Sequence, residues 1–376
     1  MTGSCQQCAR RAWLLGKLSV RLDFKAPQAA RLCGVLELPD LELIEAIGGQ
    51  RRAELQQAYA EWVPTPTQTD CHSRTLCRHH AAFPRRLRDD ALAPHTLEVR
   101  GGLARLAELF EGDVVAIVGT RRATDYGMAV ARELAHDLGA SAVTVASGLA
   151  EGIPSAAHAG ALEVDGSTLT VMTSGVERCT PAVCAPLYRR ILESGCAISE
   201  SHSDGRARRW WRYSCLRTLA LLAQLVIVVE AEDESSELAC ASVASSRGRC
   251  VGAVPGRVNS PTSEGTHSLL TGGARLIRGA QDALDALYGV GVREVVSDRG
   301  PVVIEPHLEK VLKRVSGGED TLAKLMTGGS HSDEVVVALA ELELLGLLSR
   351  GDGGRYLPSS RAWRCALHGP SPGDGA

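Results

Sequence analysis

The chain has 376 residues, 44% apolar and 23% charged, which is enough hydrophobic material for two or three cored domains and rules out a disordered or staple-dependent polypeptide. Its 41 basic and 44 acidic side chains leave a net charge of −3, so no whole-molecule field draws it onto nucleic acid or an anionic membrane, and any such partner must be held by a local patch. The longest apolar stretch, Leu219 to Val229, is broken by Gln224 and falls short of the roughly 18–20 residues that span a bilayer. With no secretory pattern ahead of it, the expected location is the cytoplasm, without membrane contact.

Residues 1–63 read as a small helical, SAM-like domain, because Trp13, Leu14, Leu18 and Leu22, then Leu41, Leu43, Ile44 and Ile47, recur at helical spacing. Val63-Pro64-Thr65-Pro66-Thr67 cannot continue a helix and opens a linker over 64–100 that holds Cys71-His72 and Cys77-Arg78-His79-His80. From Val114 the texture changes to short apolar runs alternating with helix-period segments. The runs are Val114–Val118, Ala142–Ala146, Thr168–Met172, Cys196–Ser199, Leu225–Val229 and Cys250–Val254. Near-continuous apolar strands joined by helices predict an α/β fold with a Rossmann-like, doubly wound parallel sheet over residues 101–289. After a second linker, 290–306, three helical stretches and a Gly-rich turn over 307–360 predict a winged-helix-like domain, with 361–376 a tail. Its third helix carries Asp333, Glu334, Glu341 and Glu343 without Lys or Arg, which fits a protein-contact module better than a duplex-reading helix.

The first sheet strand empties into Gly119-Thr120-Arg121-Arg122, with a helix starting near Thr124. At the carboxyl end of a strand in an open α/β sheet this is a ligand position, and the amides of the helix start are expected to receive an anion, phosphate above all. The loop is neither G-x-G-x-x-G nor a P-loop, so dinucleotide-enzyme and ATPase readings lose weight. Ser147-Gly148-Leu149-Ala150 after the second strand adds a neighbouring small-residue loop, while His158 on an Ala-rich helix reads as packed rather than catalytic. A third feature, Arg206-Ala207-Arg208-Arg209-Trp210-Trp211-Arg212-Tyr213 with Arg217 beyond, interleaves arginines and aromatics as a single-strand-binding surface does. The alternative there is a basic surface loop whose tryptophans cap the core.

Taken together, these segments resemble the DprA (Smf) family of DNA-processing proteins. The resemblance rests on Val115-Ala116-Ile117-Val118-Gly119-Thr120-Arg121-Arg122, Ser147-Gly148-Leu149-Ala150, Val228-Val229-Glu230-Ala231, Val254-Pro255-Gly256-Arg257-Val258 and Gly265-Thr266, in the family's order, and extends upstream through Phe83-Pro84-Arg85-Arg86-Leu87. It implies a binding protein and not an enzyme: a homodimer that holds single-stranded DNA in the Rossmann crevice and loads a RecA-type recombinase during DNA uptake or recombination. Gly119, Thr120, Arg121 and Arg122 would contact phosphates, with Ser147 and Gly148 presenting amides beside them and Arg209, Trp210, Arg212 and Arg217 extending the path. The chain departs from the family pattern where Gly152-Ile153-Pro154 replaces Gly-Ile-Asp and where Arg212-Tyr213-Ser214-Cys215-Leu216-Arg217 replaces Phe-Pro-x-Arg-Asn-Arg. Ser236-Glu237-Leu238 replaces Gly-Ser-Leu, which would set a negative charge on the expected phosphate path.

Two alternatives stand beside that reading. One is a nucleotide-handling enzyme on the same loops, with Glu151, Glu230 or Glu237 as its acid or base; the other is a retasked paralog that has lost DNA binding. Separately, no cofactor is required, but Cys5, Cys8, Cys77 and His79 would fill a four-ligand set for a structural zinc, with Cys71 and His80 as substitutes and a reduced, exposed CxxC as the alternative.

Overall fold

A computed structural model of the chain describes residues 4–24, 29–64, 73–200, 209–296, 304–327, 332–359 and 362. Among the described residues nine strands form one sheet: β1 (Ser73–Cys77), β2 (Thr96–Arg100), β3 (Val114–Val118), β4 (Thr144–Gly148), β5 (Thr168–Met172), β6 (Cys196–Ser199), β7 (Leu225–Val228), β8 (Cys250–Ala253) and β9 (Arg275–Leu276). Their order is β1-β2-β6-β5-β4-β3-β7-β8-β9; β1 and β2 run antiparallel to their neighbours and the rest are parallel. The strand order reverses between β3 and β7, which makes the crevice beyond their carboxyl ends the expected ligand position of such a sheet.

Each predicted parallel strand is present within two residues of its expected bounds. The pattern explains why both faces are covered. In β3 the side chains alternate, so Val114, Ala116 and Val118 join one apolar cluster while Val115 and Ile117 join the other. The second cluster packs under the helices Asp125–Ala140, Ile153–Leu162 and Ala280–Tyr288, through Leu134, Leu138, Ala157 and Leu284. The first packs under Arg209–Leu222 and Ser236–Ser246, through Leu219, Leu222, Cys240 and Val243.

Two expectations about the amino-terminal third are corrected. The helices Gln6–Phe24, Ala29–Leu36, Asp40–Ile47 and Arg52–Ala60 form as their apolar spacing predicts, yet Leu14, Leu18, Leu22 and Ile44 belong to the same core as Trp210 and Leu219. They are a third layer on the Rossmann unit and not a separately cored domain. The segment read as a linker supplies β1 and β2, with Leu76 and Leu97 paired across the ladder and both buried. Five-residue strands such as Ser73-Arg74-Thr75-Leu76-Cys77 have too few apolar positions to stand out against a Cys/His-rich stretch.

The carboxyl-terminal part comprises helices Pro306–Ser316, Leu322–Met326 and Ser332–Leu344, then an antiparallel hairpin of β10 (Leu348–Gly351) and β11 (Arg355–Pro358). Leu308, Leu312, Leu325, Leu339, Leu342 and Tyr356 give it a core of its own. Among the described residues, no helix is long and apolar enough to cross a membrane.

Candidate nucleic-acid interface

The loops after β3, β4 and β7 are strapped together by main chain. The Thr120 amide donates to the Glu230 carbonyl at 2.8 Å, and the Ile153 amide donates to the Thr120 carbonyl at 3.2 Å. Such close approach dictates glycine at two points. A Cβ on Gly119 would lie 2.6 Å from Cγ1 of Ile153, and Gly152, at φ +76°, would press one to 2.6 Å from the carbonyl oxygens of Thr120 and Arg121. Pro154 sits in the first turn of the helix that follows Gly152, where its missing amide has no intrahelical partner to lose.

At the start of the helix Asp125–Ala140, Thr124 is the N-cap: its hydroxyl oxygen accepts from the Gly127 amide at 3.1 Å. The same hydroxyl donates to one Glu230 carboxylate oxygen at 2.6 Å, and the Thr124 amide donates to the other at 2.9 Å. Buried Glu230 therefore takes up the Thr124 amide and hydroxyl at this helix start, two donors that the sequence reading left free for a phosphate. Gly127 makes room for it, since a Cβ at that position would lie 2.4 Å from the Glu230 carboxylate.

What the crevice does offer is positive charge on its rim. Arg121 and Arg122 are exposed, and among the described residues neither guanidinium has a hydrogen bond or ion pair. Arg257 is exposed on the loop after β8, which is tied back by the Tyr126 hydroxyl donating to the Pro255 carbonyl at 2.8 Å. Tyr126 is 44% exposed as a residue and is an aromatic group at this edge that sequence reasoning passed over; its place in the first turn after Gly-Thr-Arg-Arg was the available signal. Opposing charge is also present, as Glu232, Asp233 and Glu234 are exposed on the loop after β7 and Glu151 on the loop after β4.

Ser147 and Gly148 lie behind this rim. Ser147 is fully buried with its hydroxyl donating to the Ile117 carbonyl at 2.6 Å, so its side chain belongs to the sheet and not to the crevice. The Gly148 carbonyl accepts from Nε2 of His158 at 3.0 Å, while Nδ1 of that ring lies 2.7 Å from the Thr168 hydroxyl. Complete burial pushes the His158 pKa down to about 4, and the neutral ring is a packed, satisfied group, as its setting predicted.

The Arg/Trp segment is not a stacking platform where it is described. Residues 201–208 lie outside the described residues, as does the side chain of Arg209. Trp210 is fully buried, its ring centroid 6.3 Å from Trp211 and 5.8 Å from Tyr213. Arg217 is 2% exposed and pairs with buried Glu200, which also accepts from the Ser214 hydroxyl; its guanidinium lies 5.7 Å from the Trp210 ring centre. Arg212 pairs with Glu237 and donates through Nε to the Ser236 hydroxyl at 2.6 Å. The physical reason is the third layer: helix Arg209–Leu222 lies between the sheet and the amino-terminal helices and has little face left for solvent. Glu237, placed by sequence on the phosphate path, is buried with its charge met by Arg212. Cys5, Cys8, Cys77 and His79 do converge, at the far edge of the sheet where helix Gln6–Phe24 begins beside β1.

The family model described as DNA recombination-mediator protein A matches residues 74–288. The chain is similar to a Mycobacterium tuberculosis protein named as DprA, 34% identical over 273 residues that cover 71% of this chain and 70% of the relative. It is similar also to the protein Smf of Escherichia coli, 33% identical over 257 residues covering 66% and 68%. Among solved structures, that of DNA processing protein A from Streptococcus pneumoniae superposes with a TM-score of 0.54 and 25% identity, covering 70% of this chain and 95% of that one. The chain belongs to the DprA family, a family of recombination mediators and not of enzymes.

Proposed function

We propose that this family member binds single-stranded DNA along the rim of the β3–β7 crevice, with Arg121 and Arg122 as the principal phosphate contacts and Gly119 and Thr120 fixing their loop. The observation that carries the reading is the pair of exposed guanidinium groups, without a partner among the described residues, on a loop held by three main-chain and side-chain ties. A flexible tail of arginines would lose more side-chain and backbone entropy on binding a phosphate than this loop does. Arg257 and the Tyr126 ring lie on the same edge, a cation and an aromatic face of the kind that tracks a strand and stacks on a base. Phosphate contacts of this sort position a strand without reading its sequence, so binding is general rather than sequence-specific.

Family membership supports the rest of the reading: a cytoplasmic homodimer that transfers its bound strand to a RecA-type recombinase, in DNA uptake or recombination. The enzyme alternative keeps only Glu151 of its three candidates, exposed on the loop after β4, because Glu230 is committed to Thr124 and Glu237 to Arg212. The test is filament loading on strands coated with a single-strand-binding protein. Wild-type protein should accelerate the recombinase's DNA-dependent ATP hydrolysis, and Arg121→Ala with Arg122→Ala should remove that acceleration. Equal acceleration by wild type and double variant would refute the assignment of these arginines.

A further inference from the structure

We infer that Cys5, Cys8, Cys77 and His79 hold a structural zinc ion that clamps the start of the amino-terminal helix to the outermost strand of the sheet. Cys5 directly precedes helix Gln6–Phe24 and Cys8 lies in its first turn, whereas Cys77 ends β1 and His79 occupies the turn after it. Residues more than seventy positions apart thus meet at one point. The four ligand atoms all lie within 4.8 Å of one another; Nδ1 of His79 is 3.3 Å from Sγ of Cys5 and 3.4 Å from Sγ of Cys8. A tetrahedral zinc with Zn–S of about 2.3 Å and Zn–N of about 2.0–2.1 Å sets its ligand atoms roughly 3.5–3.8 Å apart; the two His79 contacts lie within a few tenths of an ångström of that spacing, and the remaining pairs fall within 4.8 Å.

Chemistry and surroundings agree with that ligand set. Three thiols and one imidazole are the donors of a closed Cys3His site, with no position left for substrate. Cys8 and Cys77 are buried, Cys5 is half-buried and His79 is exposed, which leaves one side open for the metal to enter. The Cys5 amide donates to Sγ of Cys77 at 3.4 Å, which joins the helix start directly to the end of β1. The structure also chooses between the candidates that the sequence left open. Nδ1 of His80 accepts from the Ala82 amide at 3.1 Å and is engaged in its own turn, while Arg78 turns to the carbonyls of Asp90 and Ala93 at 3.2 and 3.0 Å. Cys71 lies outside the described residues. A site so placed adds a covalent-strength tie between the third layer and the outermost strand, which pairs with the rest of the sheet through the five-residue ladder of β1 with β2.

The test is elemental analysis of the full-length protein purified without an affinity metal, with its disulfides assayed in parallel by alkylation under native conditions. One zinc per chain, released by a mercurial in step with the loss of three reactive thiols, is the expected result. Cobalt taken up in place of zinc should give the intense visible absorption of tetrahedral thiolate coordination. His79→Cys should keep the metal and raise the sulfur-to-cobalt charge-transfer band, whereas Cys77→Ser should lose at least tenfold in affinity. Folded protein without stoichiometric metal after zinc reconstitution would overturn the inference. So would a disulfide among Cys5, Cys8 and Cys77, or a wild-type cobalt spectrum retained by Cys77→Ser. The His79→Cys arm keeps the test decisive if Cys77→Ser fails to fold.

Discussion

Arg212 on helix Arg209–Leu222 and Glu237 in the first turn of helix Ser236–Ser246 form an ion pair, and each stands where the DprA family pattern carries a different residue. Two departures that look separate along the chain therefore meet in one ion pair. Glu237 alone would leave a buried carboxylate without a counter-charge, and its side chain is only 6% exposed. Glu237→Gln should cost about 1–3 kcal/mol, because Arg212 loses its partner while staying partly solvated. Arg212→Phe with Glu237→Ser, the residues of the family pattern, should recover most of that loss. A denaturant double-mutant cycle checks this, and additive single effects would show that the two positions are not coupled.

Arg217 has a structural role. Its guanidinium is paired with Glu200 in the core, so Arg217→Met should destabilise the fold by about 3–5 kcal/mol through the abandoned carboxylate. Protein that remains folded should bind single-stranded DNA with wild-type affinity. Chemical denaturation and binding measured on the same preparation separate the two effects.

The acidic loop after β7 should restrain DNA binding. Replacing Glu232, Asp233 and Glu234 with Gln, Asn and Gln removes three exposed negative charges from the edge that carries Arg121 and Arg122. Affinity should rise several-fold at low salt, and the gain should shrink as ionic strength shortens the screening length below about 10 Å. A titration at two salt concentrations is sufficient.

His158 makes stability depend on pH. Its pKa is pushed down to about 4 by burial, against about 6.5 in an unfolded chain, so between those values the unfolded state binds more protons. Stability is therefore full above about pH 6.5 and falls as pH drops toward 4. His95, pushed down to about 3 by burial and by Arg78, Arg11 and Arg217, adds a slope of the same sign. The urea midpoint should fall between pH 7 and pH 5, and His158→Gln should flatten that fall without abolishing it.

The parallel strands and the Gly-Thr-Arg-Arg loop were legible in the chain because a doubly covered strand has to be apolar along its length. Burial of Trp210, Trp211 and Tyr213 was not, since Arg206 to Tyr213 has the composition of a surface and only the shared apolar core with the amino-terminal helices takes those rings out of solvent. The role of Glu230 was equally hidden: it lies 106 positions from Thr124, and nothing local marks it as the acceptor for that helix start. The cysteine cluster stood between these cases. Its residue types were visible, but the convergence of a helix start with a sheet edge is a property of the third dimension.

The proposed function places the phosphates of a single strand on Arg121 and Arg122. It is tested most directly by fluorescence anisotropy of a labelled single-stranded oligonucleotide over a salt series, with duplex as competitor and with Arg121→Ala/Arg122→Ala alongside wild type. Log affinity should fall linearly with log salt, the double variant should lower this slope by about 1.4 at roughly 0.7 per phosphate, and duplex should compete poorly. A slope unchanged in the folded double variant, or no binding by folded wild type at low salt, would contradict it.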